Sequence, residues 1–395
     1  MRRIDLRKAQ AARAATIRGI NRQIVLNYIR DREPISRAEI ARETALQRST
    51  VSTIVEELKA EGLIEEIGTG KSTGGRRPML LRLRAAGAMA IGVDVTPSHT
   101  TIATCDLAGR IIEREQFASV KDPKEFVKKI SAIVRQMHAR NSSTISGIGI
   151  SLPGLVDPDA GRAIYIPHFN WRDWPVVVEV SAVTSLPVII DNDANAAALA
   201  ELWFGRPEVS NARDFILVFV GEGVGTGIVF DGQIYRGERG AAGEFGHMII
   251  GQRGLIACSC GNFDCWEAFA SGRAAVERYR RASGKDAPFS FDEVIEFALR
   301  GDQAAIAALT ETAHYLGIGI SNLIVGLSPA VVIVGGSIVR AWPLIAEALE
   351  EPVKRSIRRG LPSSHIMPST LGDQPTLMGA LSLVLARKFA LTTAA

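Results

Sequence analysis

Cysteine is nearly absent, with four residues in 395, and so few thiols cannot form the framework that staples small secreted folds. No run of eighteen apolar residues occurs, which argues against a membrane-spanning helix. The basic start, MRRIDLRKAQAARAATIRG, has no apolar stretch ahead of a small-residue cleavage site, so no secretory signal is expected. Internal repeats and low-complexity tracts are missing as well. The expectation is a cytoplasmic globular protein with no membrane partner. Its 395 residues, 47% hydrophobic and 22% charged, suffice for two or three domains with buried cores.

The few cysteines are concentrated. Three of the four fall in GEFGHMIIGQRGLIACSCGNFDCWE, residues 243–267, as Cys258, Cys260 and Cys265, with His247 just upstream. Three thiolates and one imidazole are the donors that close a tetrahedral Zn²⁺ shell and leave no position open for catalysis. A structural metal site is expected, although the spacing His-x10-Cys-x-Cys-x4-Cys is not that of a finger or ribbon. The remaining thiol, Cys105, lies in an alternating apolar segment and reads as a small core residue.

Charge is unevenly distributed. Residues 1–84 hold 18 Lys+Arg against 10 Asp+Glu, which leaves 28 against 32 for the rest. A basic module joined to a mildly acidic one points to a polyanion partner for the first part only. Within it, Ile17, Ile20, Ile24, Leu26 and Ile29 recur near a helical period, and Pro34 ends that helix. Ser36 then caps a second helix, with Glu39 completing a capping box. A third helix is expected over residues 47–61, with Val51, Ile54, Val55 and Leu58 inward.

Helix, short turn, helix is the arrangement that lays a recognition helix in the major groove of double-stranded DNA. Its first turn here offers Gln47, Arg48, Ser49, Thr50 and Ser52, side chains suited to base edges and phosphates. A small helical bundle with a polar surface would show the same periodicity. The next segment favours DNA: a strand over 63–67, a Gly-rich tip and a strand over 79–83 form a wing. The wing carries Lys71, Arg76 and Arg77 into a narrow minor groove, unless these residues are only a solvated linker.

From Met89 the pattern changes to strand hairpins, AIGVDV, TTIATCDL and RIIEREQFAS, then a helix over 123–140 and a strand SGIGIS. Such alternation predicts an α/β domain with a mixed sheet. The segment PVIIDNDANAAALAEL, 187–202, reads as a buried strand running into a helix at an acidic turn, where Asp191, Asn192 or Asp193 can cap. The helical segment from 305 is apolar all round and predicts a buried helix or dimer face, with His314 as a core histidine.

The run Glu244-x-Gly-His247 followed by Cys-x-Cys-Gly-x3-Cys-x-Glu267 resembles the signature of the ROK family, which groups sugar kinases with sugar-responsive transcriptional repressors. The similarity runs from about residue 88 to the C-terminus, and the GGRRP of the wing matches the repressor branch. The resemblance implies an N-terminal winged helix-turn-helix, mainly α, over 1–84, and an α/β actin-like (ribonuclease H-like) two-lobed domain over 85–395. Lobe 1 would span about 85–190 plus a C-terminal helix at 375–390, and lobe 2 about 191–374. It also implies a sugar or sugar-derivative effector contacted by Pro153, Gly154, Asn192, Asp193, Glu244, His247 and Glu267, and a homodimer or homotetramer. Asp193 matches the family's general base, here without a catalytic role.

Two phosphate turns of the family's kinases are altered. Asp94-Val95-Thr96-Pro97-Ser98 stands where a Gly-Gly-Thr turn lets backbone approach phosphate, and proline supplies no amide donor. Gly221-Glu222-Gly223 stands where Gly-Thr-Gly is expected, and a carboxylate there repels a triphosphate by about 1 to 4 kcal/mol at 4 Å. A third turn, in VVIVGGSIV, keeps its glycine pair. The expected function is therefore a DNA-binding repressor of sugar-utilisation genes without kinase activity; the alternative is an ATP-dependent sugar kinase with an added DNA-binding domain. HFNWRDWP places Asn170 and two tryptophans either against a sugar or under the loop.

Overall fold

The structure, a computed structural model, describes residues 14–70, 77–140, 144–210, 212–251, 253–285, 287–356, 363–372 and 374–389. It opens with α1 (Ala14–Arg32), β1 (Ile35–Ser36), α2 (Arg37–Thr44) and α3 (Arg48–Ala60), followed by a hairpin of β2 (Ile64–Thr69) and β3 (Met79–Leu83). Ser36 accepts from the Glu39 amide while the Glu39 side chain reaches back to the Ser36 backbone, so the capping box starts α2 as its sequence predicts. The two-residue strand β1, not foreseen, pairs with β3 and makes the wing a three-stranded sheet.

One inward assignment on α1 changes. Ile17 is 48% exposed, whereas Val25 is fully buried. The reason is that the second half of α1 is covered on two sides, by α3 and by the C-terminal helix, while its first turns reach beyond that cover.

The next unit holds β4 (Met89–Val95), β5 (His99–Asp106), β6 (Ile111–Ala118), α4 (Pro123–Arg140) and β7 (Ile145–Leu152). A small antiparallel sheet follows, of β8 (Leu155–Asp157), β9 (Arg162–Ile166) and β10 (Trp171–Trp174). Then come α5 (Val176–Thr184), β11 (Val188–Asn192) and α6 (Asp193–Phe204). The main sheet has the order β11-β7-β4-β5-β6, mixed as expected, with β11 and β7 parallel to β4.

Trp171 and Trp174 lie in the core of this lobe, edge-on to Phe126 at 5.2 and 5.6 Å. Packing thus takes both tryptophans away from any ligand. Asn170 stands apart, bonded to Arg172.

The second lobe contains α7 (Pro207–Ser210), β12 (Phe215–Val220), β13 (Val224–Phe230), β14 (Gln233–Ile234), α8 (Trp266–Ala270), α9 (Gly272–Ser283) and α10 (Phe291–Leu299). It continues with α11 (Gln303–Leu327), β15 (Val331–Gly335), α12 (Trp342–Ser356) and β16 (His365–Pro368). Its sheet runs β14-β13-β12-β15-β16. Helix α11 is largely buried, but His314 is half-exposed and lies 3.5 Å from Glu351, so it is a surface residue and not a core histidine. The last helix, α13 (Pro375–Phe389), returns to the first sheet and packs along α6. No helix among the described residues is long and apolar enough to cross a membrane.

Candidate functional site

Strand ends bring the polar residues together. β4 ends at Asp94 and Val95, β7 gives way to Pro153 and Gly154, and β11 hands over to α6 at Asn192 and Asp193. From the other lobe come the β12–β13 turn and the loop that carries Glu244 and His247. A cavity of about 730 Å³ lies between them, within the range of small-molecule clefts. All seven expected sugar contacts, Pro153, Gly154, Asn192, Asp193, Glu244, His247 and Glu267, line it.

Gly154 has φ +139°, and a Cβ there would meet the Tyr165 carbonyl oxygen at 2.6 Å, so only glycine lets this wall close. Its own carbonyl accepts from Asn192 Nδ2 at 3.0 Å. The Asn192 Oδ1 caps α6, accepting from the amides of Ala194 at 2.9 Å and Asn195 at 3.2 Å. Capping and cleft lining therefore coincide in one side chain, which keeps one N–H to offer a ligand.

Asp193 points into the cleft. Burial pushes its carboxyl up to about 7; the Ala194 amide opposes the rise, and Asp94 and Glu244 add to it. Asp94, raised by burial to about 6, accepts from Thr376 Oγ1 at 2.9 Å. Thr376 stands at the start of α13 and carries no local motif, so only the returning chain reveals it. Glu244 is likewise raised by burial, with His247 opposing and Glu267 adding.

Glu267 is more enclosed. Burial works to raise it, yet the Ser259 amide at 3.0 Å and Arg273 at 3.1 Å prevail and hold it below the usual carboxylate range. Its other oxygen accepts from the Val224 amide at 3.3 Å, and a Cβ on Gly223 would come within 2.4 Å of it. Glu267 thus braces both the metal loop and the β12–β13 turn while touching the cavity.

Behind the cleft, the imidazole of His247 and the sulfurs of Cys258, Cys260 and Cys265 each offer one atom, all within 4.8 Å of one another. Adjacent pairs are 3.1 Å (His247 Nδ1 to Cys258), 3.4 Å (Cys258 to Cys260) and 3.6 Å (Cys260 to Cys265). A tetrahedron of sulfurs about 2.3 Å from Zn²⁺ has edges of about 3.8 Å, so the cluster is pre-arranged for such an ion. Burial and the neighbouring sulfurs push Cys265 up to about 12, and a cation is what would let three thiolates coexist here. The other ring nitrogen of His247, Nε2, faces Glu244 Oε2 at 3.5 Å. Cys105, by contrast, is buried alone, its thiol also pushed up to about 12.

Both altered phosphate turns use their own amides. Thr96 N donates to the His99 carbonyl at 2.9 Å, and Gly221 N to the Gly223 carbonyl at 3.1 Å. Glu222 reaches across the cleft to within 3.9 Å of His168 Nε2.

In the N-terminal unit, Gln47, Arg48 and Ser49 are exposed at the start of α3, and Thr50 and Ser52 are half-buried. Gln47 is the N-cap residue yet makes no capping bond with its side chain. Thr53, exposed one turn beyond Ser49 and bonded to its carbonyl at 3.1 Å, extends the same exposed face. Arg77 is exposed, while Lys71 and Arg76 lie outside the described residues.

Residues 90–387 match the ROK family. The chain belongs to the ROK family. Residues 24–77 also match the MarR family, over a stretch that runs from within α1 to just before β3. The xylose repressor of Bacillus subtilis (strain 168) is 32% identical over 376 residues, 93% of this chain and 96% of that protein. The DNA-binding transcriptional dual regulator NagC of Escherichia coli (strain K12) is 29% identical over 392 residues, 95% of each. Among solved structures, a ROK family transcriptional regulator described as a homolog of the E. coli MLC protein matches with a TM-score of 0.80 at 26% identity, covering 95% of this chain and 97% of that one. A ROK family glucokinase from Streptomyces griseus, in complex with glucose and AMPPNP, matches with a TM-score of 0.67 at 29% identity, over 75% of this chain and 98% of that one. The fold is thus a winged helix joined to the actin-like, two-lobed kinase fold.

Proposed function

We propose that this protein is a sugar-responsive transcriptional repressor of the cytoplasm, which binds operator DNA as a homodimer or homotetramer and releases or tightens it on binding a sugar. The observation that carries the reading is one cleft that keeps Asp193, Glu244 and His247 together while both phosphate turns bond to themselves. A carboxylate can accept a hydrogen bond from a sugar hydroxyl whether or not a phosphate is transferred. Kinase activity is taken to be lost because Pro97 supplies no amide, Thr96 N and Gly221 N are bonded within their own turns, and Glu222 adds a like charge. The full-length match to repressors, against a kinase match that omits the winged helix, supports the same conclusion.

Zn²⁺, held by His247, Cys258, Cys260 and Cys265, would cross-brace the loop and supply no reaction. With Nδ1 directed to the sulfurs, His247 presents Nε2 to the cleft and to Glu244, so the brace and the sugar wall share one side chain.

Two helices connect the cleft to the DNA-binding head. α6 starts at Asp193 and ends at Trp203 and Phe204; α13 starts beside Asp94, through Thr376, and ends at Phe389. Arg30 of α1 lies 4.3 Å from the Trp203 ring and 5.0 Å from the Phe389 ring, and Asn27 Nδ2 donates to the Phe389 carbonyl at 2.9 Å. The helices lie so close that a Cβ on Gly379 would come within 2.3 Å of the Ala196 carbonyl carbon, so they move as a pair. Lobe closure on a sugar would tilt this pair and change the spacing of two heads, which must meet half-sites about 34 to 36 Å apart or a multiple of that.

The deciding experiment is anisotropy of labelled DNA from the protein's own upstream region, with and without a sugar panel headed by xylose and N-acetylglucosamine, the sugars that name its relatives. ATP turnover with a sugar acceptor and no affinity for duplex DNA would revive the kinase.

Arg48→Ala is expected to weaken specific DNA binding by about 1 to 3 kcal/mol if the guanidinium is bidentate to a guanine. An unchanged footprint would remove that role. Asp193→Asn is expected to abolish the sugar response yet raise thermal stability at pH 8. The folded protein retains the Asp193 proton up to about 7, whereas the unfolded chain releases it near 3.8. Stability from this group is therefore full below about pH 4 and declines as pH rises through about 7, so the gain should be present at pH 8 and vanish at pH 4.

A further inference from the structure

We infer that Cys260 is an oxidation site, which hydrogen peroxide converts, together with Cys265, into a disulfide that dismantles the metal loop. The oxidation itself is independent of what the cleft binds; its link to a ligand rests on the sugar-sensor reading above.

The four metal-facing groups are not equally covered. Cys258 and Cys265 are buried and His247 is half-buried, whereas Cys260 is exposed. It stands at the tip of a tight turn, in which the Cys258 amide donates to the Asn262 carbonyl at 2.7 Å and the Gly261 amide to the Cys258 carbonyl at 2.9 Å. That tip faces the cleft, where Ser259 and Cys260 belong to the cavity wall. A metal holds its sulfur ligands as thiolates, the nucleophilic form, so the exposed sulfur is the one an oxidant reaches from solvent. The carboxyl groups of Asp193, Glu244 and Glu267 line the same cavity and favour a small uncharged oxidant over an anionic disulfide.

Two sulfurs stand near enough to resolve the oxidised one, Cys258 at 3.4 Å and Cys265 at 3.6 Å. Cys258 is held on its inner side by His247 Nδ1 at 3.1 Å and Glu267 at 3.4 Å. Only one residue separates it from Cys260, which leaves little freedom to reach a disulfide dihedral of about 90°. Between Cys260 and Cys265 the chain is longer and includes Gly261 at φ +91°, so the geometry favours Cys265.

The Cys260 thiolate attacks one peroxide oxygen: an S–O bond forms, the O–O bond breaks, and the departing hydroxide takes up a proton. The Cys265 thiolate then attacks the Cys260 sulfur, an S–S bond forms, and the S–OH bond breaks with loss of a second hydroxide, also protonated. The thiolates are oxidised to one disulfide and the peroxide is reduced to water. His247 and Cys258 alone do not close a tetrahedral shell, so the metal is lost. An occupant of the cavity covers Cys260 and slows the first step.

The test treats the full-length, zinc-loaded protein with hydrogen peroxide, follows released zinc with a chromophoric chelator and maps disulfides by peptide mass. Stoichiometric zinc should be released together with a Cys260–Cys265 linkage, and dithiothreitol with added zinc should restore the loaded protein. Cys105→Ala, which removes the thiol outside the loop, should release zinc at the wild-type rate. Zinc retained under conditions that oxidise free glutathione overturns the inference, as does release that Cys105→Ala abolishes or that proceeds without the Cys260–Cys265 linkage. With a sugar that calorimetry shows to bind, release should be several-fold slower, and an unchanged rate overturns the shielding. Formation of the disulfide in protein that binds no sugar overturns the sensor reading and leaves the oxidation site standing.

Discussion

Stripping the metal with a chelator is expected to lower the thermal midpoint by on the order of 10 °C and to abolish sugar binding in the same sample. The four ligand groups sit on one short 3-10 turn, Glu244–His247, and on the Gly-rich loop that follows it up to the cap of α8, and two of the thiols are buried. Without a cation, burial disfavours the charged form of Cys265, whose thiol is pushed up to about 12. Binding of structural zinc is folding free energy in such loops. Here Trp266 and Phe269 also anchor the segment, so the loss should be about 3 kcal/mol, which corresponds to roughly 10 °C for a lobe of this size. Sugar binding is expected to fall with it because two cleft-lining residues depend on the loop: His247 is one of the four metal-facing groups, and Glu267 is bonded to Cys258 and the Ser259 amide. Cys260→Ser should show the same loss by metal analysis and scanning calorimetry; stoichiometric zinc in that variant would mean the ligand set is wrong.

Trp266→Ala should destabilise the second lobe by about 3 to 5 kcal/mol, the largest expected effect of a single substitution here. The indole is fully buried, its Nε1 donates to the Tyr315 carbonyl at 2.8 Å, and Gly319 of α11 lies so close that a Cβ would come within 2.0 Å of the ring. Removal leaves a cavity and takes away the second hydrogen bond to the Tyr315 carbonyl of α11. Because Trp266 stands between Cys265 and Glu267, the variant should also bind zinc less tightly. Denaturant titration would measure the first effect and competition with a chromophoric chelator the second; a loss below about 1 kcal/mol would mean that α11 collapses into the space.

Short-range chemistry was legible without coordinates. The capping box of Ser36 and Glu39, the helix over 123–140 and the strands around it follow from side-chain period and capping, which act over a few residues. The ligand cluster was visible for the same reason, since its cysteines lie within eight positions of one another and His247 only eleven before the first. The turn was legible as a helix start with the cap open between Asp191, Asn192 and Asp193, and the cleft role of Asn192 came from the family resemblance; the cap is Asn192.

Packing between distant segments decided the rest. The Thr376 bond to Asp94 joins residues 282 apart, and no periodicity reports such a pair. The seat of Arg30 between Trp203 and Phe389 needs α1, α6 and α13 to converge. HFNWRDWP left its tryptophans undecided, and Phe126 drew them into the core. Composition and spacing thus pointed to a basic winged-helix head and a thiolate cluster suited to a metal, and the resemblance to the ROK family pointed to a sugar cleft. Only the tertiary structure decided that the metal loop, both altered turns and two helices leading to the head share one cleft, because burial and contact across sequence distance are properties of the packed chain and not of any segment.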